Sequence, residues 1–202
     1  MEVIDVEINP TILETIKNNN NMITTAQVID LGFTRALLSR YVKEGLLERE
    51  RQGVYILADS IHDDMYTLML RTDKIIFSHD TALFLNGLSE RTPFTHSVTI
   101  PSNTKLSNIL QDECVCYYIK PELHQVGMIF RKTTLGNEVR CYNAERTICD
   151  LLRSRNRLDE ETVISAIKNY AVSADKDLNL LAIYAPQFGV EKILKRYMEV
   201  LL

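Results

Sequence analysis

The sequence predicts an α+β protein with two domains, a small N-terminal domain and a larger mixed domain that ends in a helical segment. Three observations predict this fold class. The first 58 residues combine short helical patterns with a strand-like pair, strand patterns accumulate between residues 75 and 142, and helical periodicity returns from residue 143. The change of pattern after Ala58 divides the chain into a domain of residues 1–58 and a domain of residues 59–202.

The composition excludes several classes of protein. The chain has 202 residues, of which 46% are hydrophobic and 25% are charged, as in ordinary globular proteins. Its apolar runs are too short to cross a membrane and its acidic start lacks the basic region of a signal peptide, so we expect a cytoplasmic protein that does not interact with membranes. The net charge of −4 argues against a histone-like protein that binds nucleic acid through its bulk charge.

Two short helices are predicted first. Pro10 is a suitable first-turn residue, and the run of asparagines at 18–21 ends the helix that it begins. Thr24 and Gln27 have the three-residue spacing of a capping box. A second short helix therefore begins after Thr24 and ends at Gly32.

A third helix and a strand pair complete the N-terminal domain. Thr34 can cap a helix over residues 35–44, and Gly45 is a natural residue to end it. Two helices separated by a glycine turn are the pattern of a helix-turn-helix. Residues 46–57 then form two strand-like runs around a turn at residues 52–53. This combination predicts a winged helix-turn-helix.

The second domain alternates helices and strands before it becomes helical. Residues 61–71 predict a helix, residues 75–77 predict a short strand, and Ser78 caps a further helix. The remaining pattern predicts strands at residues 97–100, 115–119, 128–130 and 139–142, the last two as a hairpin, and then helices near residues 144–152, 163–170, 178–184 and 190–201.

The third helix of the N-terminal domain carries residue types that recognise DNA. When Leu38, Tyr41 and Val42 face the core, the helical period leaves basic and small polar residues on the outside. Arginine can pair bidentately with guanine, and lysine neutralises phosphate. The predicted contacts are Thr34, Arg35, Ser39, Arg40 and Lys43 in the major groove, with Arg49, Arg51 and Gln52 of the wing on the backbone or in the minor groove.

Positive charge is concentrated in the same segment. Residues 34–52 contain five basic and three acidic residues, whereas residues 1–58 as a whole contain six basic and eight acidic residues. The charge is therefore placed where DNA would bind. The alternative is a winged helix that contacts only proteins, with its arginines as solvated surface charges.

A second basic cluster is predicted in the larger domain. Between residues 131 and 157 there are seven basic residues against three acidic ones. Arg146, Arg153 and Arg157 would lie near one face of a helix that continued past Ser154. The cluster, which is either a second contact with DNA phosphates or a solvated surface, comprises Arg131, Lys132, Arg140, Arg146, Arg153, Arg155 and Arg157.

The sequence gives little support for metal binding or catalysis. The cysteines at positions 114, 116, 141 and 149 include no Cys-x-x-Cys pair, and we expect reduced thiols that pack in the core. His79-Asp80 resembles the centre of a metal phosphohydrolase motif, but its outlying ligands are not evident, and Asp80 fits the first turn of a helix. Signature motifs of nucleotide-binding and hydrolytic enzymes are also missing from the sequence. We therefore expect no enzyme activity, no catalytic residue, no metal and no cofactor.

Several motifs, taken in chain order, resemble one known family. They are the segments Gly45–Arg49, Gly53–Tyr55, Ser78–Leu83, His96–Pro101 and Tyr142–Leu152, the last of which follows the predicted hairpin. Together these segments resemble the AbiEi-type antitoxins over roughly residues 10–200.

The resemblance implies a bacterial antitoxin and transcriptional autorepressor from a type IV toxin–antitoxin pair associated with abortive phage infection. It implies a winged helix that binds inverted repeats in its own promoter, and a second domain that antitoxicity requires. The functional partner would be a nucleotidyltransferase-like toxin, without a stable complex between the two proteins. Since the sequence shows no coiled coil or apolar dimerisation helix, we expect a monomer that pairs cooperatively on double-stranded promoter DNA.

The residues leave three alternatives open. The protein is an antitoxin that masks its toxin by direct binding, or a winged-helix transcriptional regulator unrelated to toxin–antitoxin pairs, or it carries a nuclease in its second domain. Against the nuclease, the sequence lacks clustered carboxylates with a lysine on adjacent strands.

Overall fold

The computed structural model describes residues 7–19, 21–58, 60 and 63–201, apart from the side chains at positions 51, 200 and 201. Its internal contacts divide the chain into two compact units, with the boundary between Asp63 and Asp64. Each unit combines helices with a β-sheet, so the predicted α+β class is confirmed, as is the helical end of the chain. Over the ranges given above, the structure contains no helix with both the length and the apolar character that crossing a lipid bilayer requires.

The N-terminal unit is a winged helix-turn-helix. Its elements in chain order are α1 (Pro10–Asn18), β1 (Met22–Thr24), α2 (Thr25–Asp30), α3 (Arg35–Lys43), β2 (Leu47–Arg51) and β3 (Val54–Leu57). The sheet is antiparallel with the strand order β1-β3-β2. The three predicted helices and the predicted strand pair are all present. Strand β1 is additional, because its three residues are too few to produce a sequence pattern.

Local side-chain hydrogen bonds fix where the first two helices begin. The N–H of Thr11 donates to the side chain of Asn9 at 3.0 Å at the start of α1. The predicted capping box of α2 is confirmed, because the Gln27 N–H donates to Thr24 Oγ1 at 3.2 Å and the Thr24 N–H donates to Gln27 Oε1 at 2.8 Å. These bonds satisfy N–H groups that a helix leaves without intrahelical partners in its first turn.

A small apolar core holds α3 in a single orientation. Leu38 and Tyr41 of α3 are buried in one cluster with side chains from α1, α2 and all three strands. The Tyr41 hydroxyl also accepts a hydrogen bond from the N–H of Asn9 at 2.9 Å. Val42 is half-buried and packs against the same cluster. The predicted apolar stripe is therefore confirmed, and the opposite face of α3 points away from the core.

The C-terminal unit contains a five-stranded mixed sheet and a group of helices that follows it in the chain. The elements are α4 (Asp64–Arg71), β4 (Ile76–Phe77), α5 (His79–Leu85), β5 (His96–Pro101), α6 (Asn108–Glu113), β6 (Cys114–Ile119), α7 (Pro121–His124), β7 (Met128–Lys132), β8 (Glu138–Tyr142), α8 (Ala144–Ser154), α9 (Glu160–Val172), α10 (Leu178–Gln187) and α11 (Glu191–Leu201). The strand order is β6-β5-β4-β8-β7, so β6 and β7 are the two edges of the sheet.

Most predicted elements of the C-terminal unit are confirmed, and three details differ. The sequence does not predict α6 and α7, because neither helix is longer than six residues. The predicted start of α4 at Ile61 lies outside the described residues, and the observed helix begins at Asp64. Helix α8 ends at Ser154 and a turn of 3₁₀ helix follows over Arg155–Arg157, so the condition under which Arg146, Arg153 and Arg157 would share one helical face is not met.

Helix α8 is the centre of the larger of two apolar cores in the C-terminal unit. It packs against α5, α9, α10 and α11, and residues 145–152 are all buried. The second core lies between the sheet and α4 and α6. Cys149 and Cys141 are fully buried in these two cores, as the sequence predicts. Burial raises the pKa of both thiols to about 12, so they remain protonated and unreactive at neutral pH.

Candidate nucleic-acid interface

The outward face of α3 presents all the side chains that the sequence predicts for it. Thr34, Arg35, Ser39, Arg40 and Lys43 are all exposed, whereas Leu38 and Tyr41 on the opposite face are 0% and 3% exposed. In the part of the chain that the structure describes, no carboxylate forms an ion pair with these basic side chains. Their charges and hydrogen-bond donors are therefore available to an external anion. That the anion is DNA stays a prediction.

Thr34 is the N-cap residue of α3. Its backbone is extended and its carbonyl accepts a hydrogen bond from the N–H of Leu37 at 3.1 Å, but its hydroxyl makes no capping hydrogen bond. The prediction that Thr34 caps α3 is therefore confirmed for the position, without a side-chain hydrogen bond. The exposed hydroxyl remains free to bind a phosphate oxygen beside the first turn of the helix.

The wing is the hairpin of β2 and β3. Gly53 forms its turn with a φ of 80°, a left-handed conformation that favours glycine, and its carbonyl accepts a hydrogen bond from the N–H of Thr25 at 2.9 Å. This bond ties the tip of the wing to the start of α2. Arg49 and Gln52 are exposed, whereas the side chain of Arg51 lies outside the described part of the structure.

The register of the hairpin shifts between Arg49, which pairs with Tyr55, and Arg51, which pairs with Val54. A β-bulge of this kind increases the local twist of a hairpin. The wing is therefore bent at the position where its predicted DNA-binding residues lie.

Arg146 is buried and does not belong to the surface cluster of basic residues predicted for the larger domain. Its side chain is 0% exposed, and its Nε donates to Asp150 Oδ2 at 3.0 Å. The guanidinium also lies 4.1 Å from the ring centroid of Tyr142 and 3.9 Å from that of Phe188. Because α8 is enclosed by the sheet and other helices, none of its faces is the solvated face that the helical spacing predicts. Arg146 therefore holds the core together and does not reach a phosphate.

The other residues of the predicted cluster do not form one surface. Arg131 and Lys132 are exposed on the edge strand β7. At the opposite edge, Arg153 donates to the carbonyl of Tyr118 in β6 at 3.4 Å. The sheet order thus separates two groups that sequence proximity places together, and the prediction of a single patch is wrong.

Two further members of the cluster bind other parts of the protein. Arg140 is half-buried and its Nη2 donates to the carbonyl of Thr72 at 2.7 Å. Arg155 is exposed, and its Nη1 donates to the carbonyl of Leu152 at 3.0 Å. Of the seven predicted residues, four are exposed in the structure, namely Arg131, Lys132, Arg155 and Arg157.

Sequence reasoning missed a buried polar network at the start of α5. His79 is fully buried, with Nδ1 at 3.0 Å from Ser78 Oγ and Nε2 at 2.9 Å from Ser154 Oγ. Thr99 Oγ1 donates to Ser78 Oγ at 2.8 Å. Burial, together with the nearby guanidinium of Arg153, lowers the pKa of His79 well below its ordinary value, so the ring is neutral. The network joins α5, β5 and α8 through their side chains.

These hydrogen bonds give His79 a structural role. Each ring nitrogen has a serine hydroxyl within hydrogen-bond distance, and a neutral imidazole donates at one nitrogen and accepts at the other. The ring therefore links Ser78 at the start of α5 to Ser154 at the end of α8.

Comparison with known proteins gives one match for the N-terminal unit and one for most of the chain. A winged helix-turn-helix with an exposed basic recognition helix is a common architecture of transcriptional regulators. Residues 10–58, which span the helices and the wing of the N-terminal unit, match the family model described as "Transcriptional regulator, AbiEi antitoxin". The predicted resemblance to AbiEi-type antitoxins is thereby confirmed over these residues.

A solved structure resembles most of the chain. The crystal structure of the RV2827C protein from Mycobacterium tuberculosis matches with a TM-score of 0.63 and 13% sequence identity, covering 88% of this chain and 73% of that one. At this identity the match shows a shared fold alone. In sequence, none of the curated proteins is significantly similar to the chain.

Proposed function

We propose that this protein is the antitoxin of a bacterial type IV toxin–antitoxin system of abortive phage infection, and that it represses its own operon by binding inverted repeats in the promoter. The observation that carries the proposal is the exposed basic face of α3 beside the wing, within the residues that match the regulator family.

The recognition helix supplies both sequence readout and electrostatic attraction. Arg35 and Arg40 can each donate two hydrogen bonds to the O6 and N7 atoms of guanine, and Ser39 can contact a base or a phosphate. Lys43 at the end of α3 neutralises phosphate. Thr34 at its start and Arg49, Arg51 and Gln52 on the wing hold the helix in register along the backbone.

The chain as a whole is acidic, with a net charge of −4, so binding depends on local charge. Each protomer presents one recognition helix. Two protomers therefore occupy one pair of inverted repeats, and a protein that is monomeric in solution pairs cooperatively on the DNA. The protein works in the cytoplasm, where its promoter is.

The second part of the proposal concerns antitoxicity, which the resemblance assigns to the C-terminal unit. The toxin is a nucleotidyltransferase-like protein encoded beside this chain, and the antitoxin opposes it without a stable complex. The chain acts by binding and catalyses no reaction. No metal or cofactor takes part.

A gel-shift titration on the chain's own upstream region, with excess nonspecific DNA, tests the repressor. The wild type is expected to shift the DNA in two steps, and Arg35→Ala/Arg40→Ala is expected to lose the specific shifts. Lys17→Ala is the matched control, since Lys17 is an exposed basic residue of α1 outside the recognition helix and the wing. If the wild type produces no specific shift, the winged helix is a protein-contact module.

Co-expression with the adjacent toxin tests antitoxicity. The wild type is expected to restore growth, and affinity-tagged toxin is expected not to retain the antitoxin during purification. A stoichiometric complex would favour direct masking of the toxin. Growth that does not recover, with repression intact, would favour a transcriptional regulator unrelated to toxin–antitoxin pairs. Metal-dependent cleavage of the promoter DNA would contradict the absence of catalysis and favour a nuclease.

A further inference from the structure

A groove with a volume of about 1190 Å³ lies in the C-terminal unit between the start of α5, the loop before β5, strand β6 and helix α9. All of its lining residues belong to this one unit. The volume exceeds the roughly 300–1,000 Å³ of small-molecule pockets, and the groove is partly open to solvent. Its size and shape are better suited to a stretch of polypeptide than to a metabolite.

Asp80 lines the groove. Its Oδ1 atom is buried and has no hydrogen-bond partner. Burial raises the pKa of this carboxyl group, and the guanidinium of Arg91 opposes that shift only in part. A buried carboxylate oxygen without a donor destabilises a folded protein. This oxygen is therefore ready to accept hydrogen bonds from an incoming donor.

The groove also carries exposed apolar side chains. Phe94 is 98% exposed, and Val172 at the end of α9 is 82% exposed. Both residues line the same groove as Asp80, together with the buried side chains of Leu83 and Leu88. Large apolar side chains that share a concave surface are typical of binding sites.

The charges of the groove favour a cationic occupant. Its lining carries four carboxylates and two guanidiniums, those of Asp80, Glu90, Asp159, Glu161, Arg91 and Arg157. Two of these groups already have partners, since Asp159 Oδ2 accepts from the N–H of Thr162 at 3.1 Å and Arg157 lies over the ring of Tyr117. The groups left to interact with an occupant are the carboxylates of Asp80, Glu90 and Glu161 and the guanidinium of Arg91, so negative charge is in excess.

We propose that this groove binds a segment of another protein in which a lysine or arginine adjoins an apolar side chain. The cationic group pairs with the unsatisfied Oδ1 of Asp80, and the apolar side chain packs on Phe94 and Val172. This site lies outside the DNA-binding unit, and the inference does not rest on the proposed repressor or antitoxin activity.

Titration of the full chain with short peptides, followed by NMR, tests the proposal. The probe is acetyl-Leu-Arg-Leu-amide, and its comparison is the same peptide with citrulline, a neutral isostere, in place of arginine. We expect saturable shifts at groove residues and at least about tenfold weaker binding of the citrulline peptide, because a charge-assisted hydrogen bond is lost. Asp80→Asn should abolish the preference for arginine, and Phe94→Ser should weaken both peptides.

Matched controls come from residues outside the groove. Asp175→Asn removes an exposed carboxylate and Phe130→Ser removes a phenylalanine of β7 that is 56% exposed, and neither should change the affinities. Equal binding of the two peptides to the wild type, or no saturable binding of either, would overturn the proposal. A wild-type dimer that Asp80→Asn converts to monomer in sedimentation would overturn it too, by assigning the groove to a second copy of this chain.

Discussion

His79 stacks on Tyr117, with ring centroids 3.4 Å apart and ring planes inclined by 12°. The guanidinium of Arg157 lies over the same Tyr117 ring, 4.6 Å from its centroid. Since His79 covers one face of the phenol ring, Arg157 takes the other. The stack connects the start of α5, strand β6 and the 3₁₀ turn after α8, and it requires a neutral His79, because an imidazolium would be buried close to Arg153.

The buried His79 predicts that the C-terminal unit loses stability in mild acid. The pKa of His79 in the folded protein is well below 6.5, chiefly through burial, whereas in the unfolded chain it has its ordinary value. Unfolding therefore takes up a proton below about pH 6.5. The stabilisation is complete above that pH and falls by about 1.4 kcal/mol per pH unit below it. Urea unfolding between pH 5 and pH 8, followed by circular dichroism, measures the slope.

The variant His79→Gln identifies the group responsible for that slope. Its stability should depend less on pH than that of the wild type between about pH 5 and 6.5. Part of the dependence should remain, because burial also lowers the pKa of His124. An identical slope in the variant and the wild type would show that His79 is not the titrating group.

We predict that breaking the buried ion pair of Arg146 and Asp150 in α8 by a single substitution strongly lowers the free energy of unfolding. Arg146→Ala leaves the fully buried Asp150 without its main partner, which is expected to destabilise the protein by about 3–5 kcal/mol. The double variant Arg146→Met/Asp150→Leu should be less destabilised, since it leaves no unpaired charge. Lys132→Ala, an exposed member of the same predicted cluster, should change the free energy of unfolding by no more than about 0.5 kcal/mol.

We predict that a side chain at position 127 would clash with Arg146. A Cβ atom at this position would lie 2.7 Å from Cβ of Arg146, and Gly127 has a φ of 78°. Gly127→Ala therefore combines backbone strain with a clash. Gly136→Ala is the matched control, because Gly136 has a φ of 86° but open space around its Cβ position. We expect strain of about 1–2 kcal/mol in the control and a clearly larger loss for Gly127→Ala in the same denaturation assay. Equal losses would mean that the neighbourhood of Arg146 adjusts freely.

We predict that removing the charge of Lys43 changes the salt dependence of DNA binding. If it contacts one phosphate, Lys43→Ala should weaken binding to specific and nonspecific DNA alike and reduce the slope of log K against log salt by about 0.9. The slope can be measured by fluorescence anisotropy between 50 and 300 mM salt, with Lys17→Ala as control. The same measurement on Arg131→Ala/Lys132→Ala shows whether the C-terminal unit contacts DNA, since an unchanged slope removes that edge strand from the interface.

We predict that replacing Asp80 with a neutral residue stabilises the folded protein. Because burial raises its pKa in the folded state, the ionised carboxylate destabilises the fold, and stability is lost as pH rises through the folded-state pKa. Asp80→Asn removes this charge and should raise the unfolding midpoint at pH 7. The difference between variant and wild type should disappear near pH 3, where both side chains are neutral. A lower midpoint for the variant at pH 7 would contradict the inferred cost of this carboxylate.

The sequence predicts the N-terminal unit well because the signals there are local. The capping box of Thr24 and Gln27 and the glycine turn of the wing depend on residues within three positions of one another. The outward face of α3 is also predictable, since that helix has one buried and one solvated side. For such elements, periodicity alone places side chains correctly.

The C-terminal unit shows where the same reasoning fails. Helical spacing assigns Arg146 to a solvated face only if α8 has one, and the tertiary structure leaves it none. The network of His79 involves Thr99 and Ser154, which are remote in the sequence and meet only when β5 and α8 have packed. Burial by distant elements has no local signature, so neither feature can be derived from a single sequence.

The division of the chain after Asp63 has a consequence for biosynthesis. All the described strands and helices of the N-terminal unit precede residue 64, so this unit can fold on the ribosome while residues 64–202 are still being made, an interval of roughly 7–28 s. In the second unit, by contrast, β4 cannot gain its parallel neighbour β8 until residues 138–142 have emerged. A nascent chain thus acquires first the unit that we propose binds the promoter, and a truncated translation product would retain the winged helix without the unit to which our proposal assigns antitoxicity.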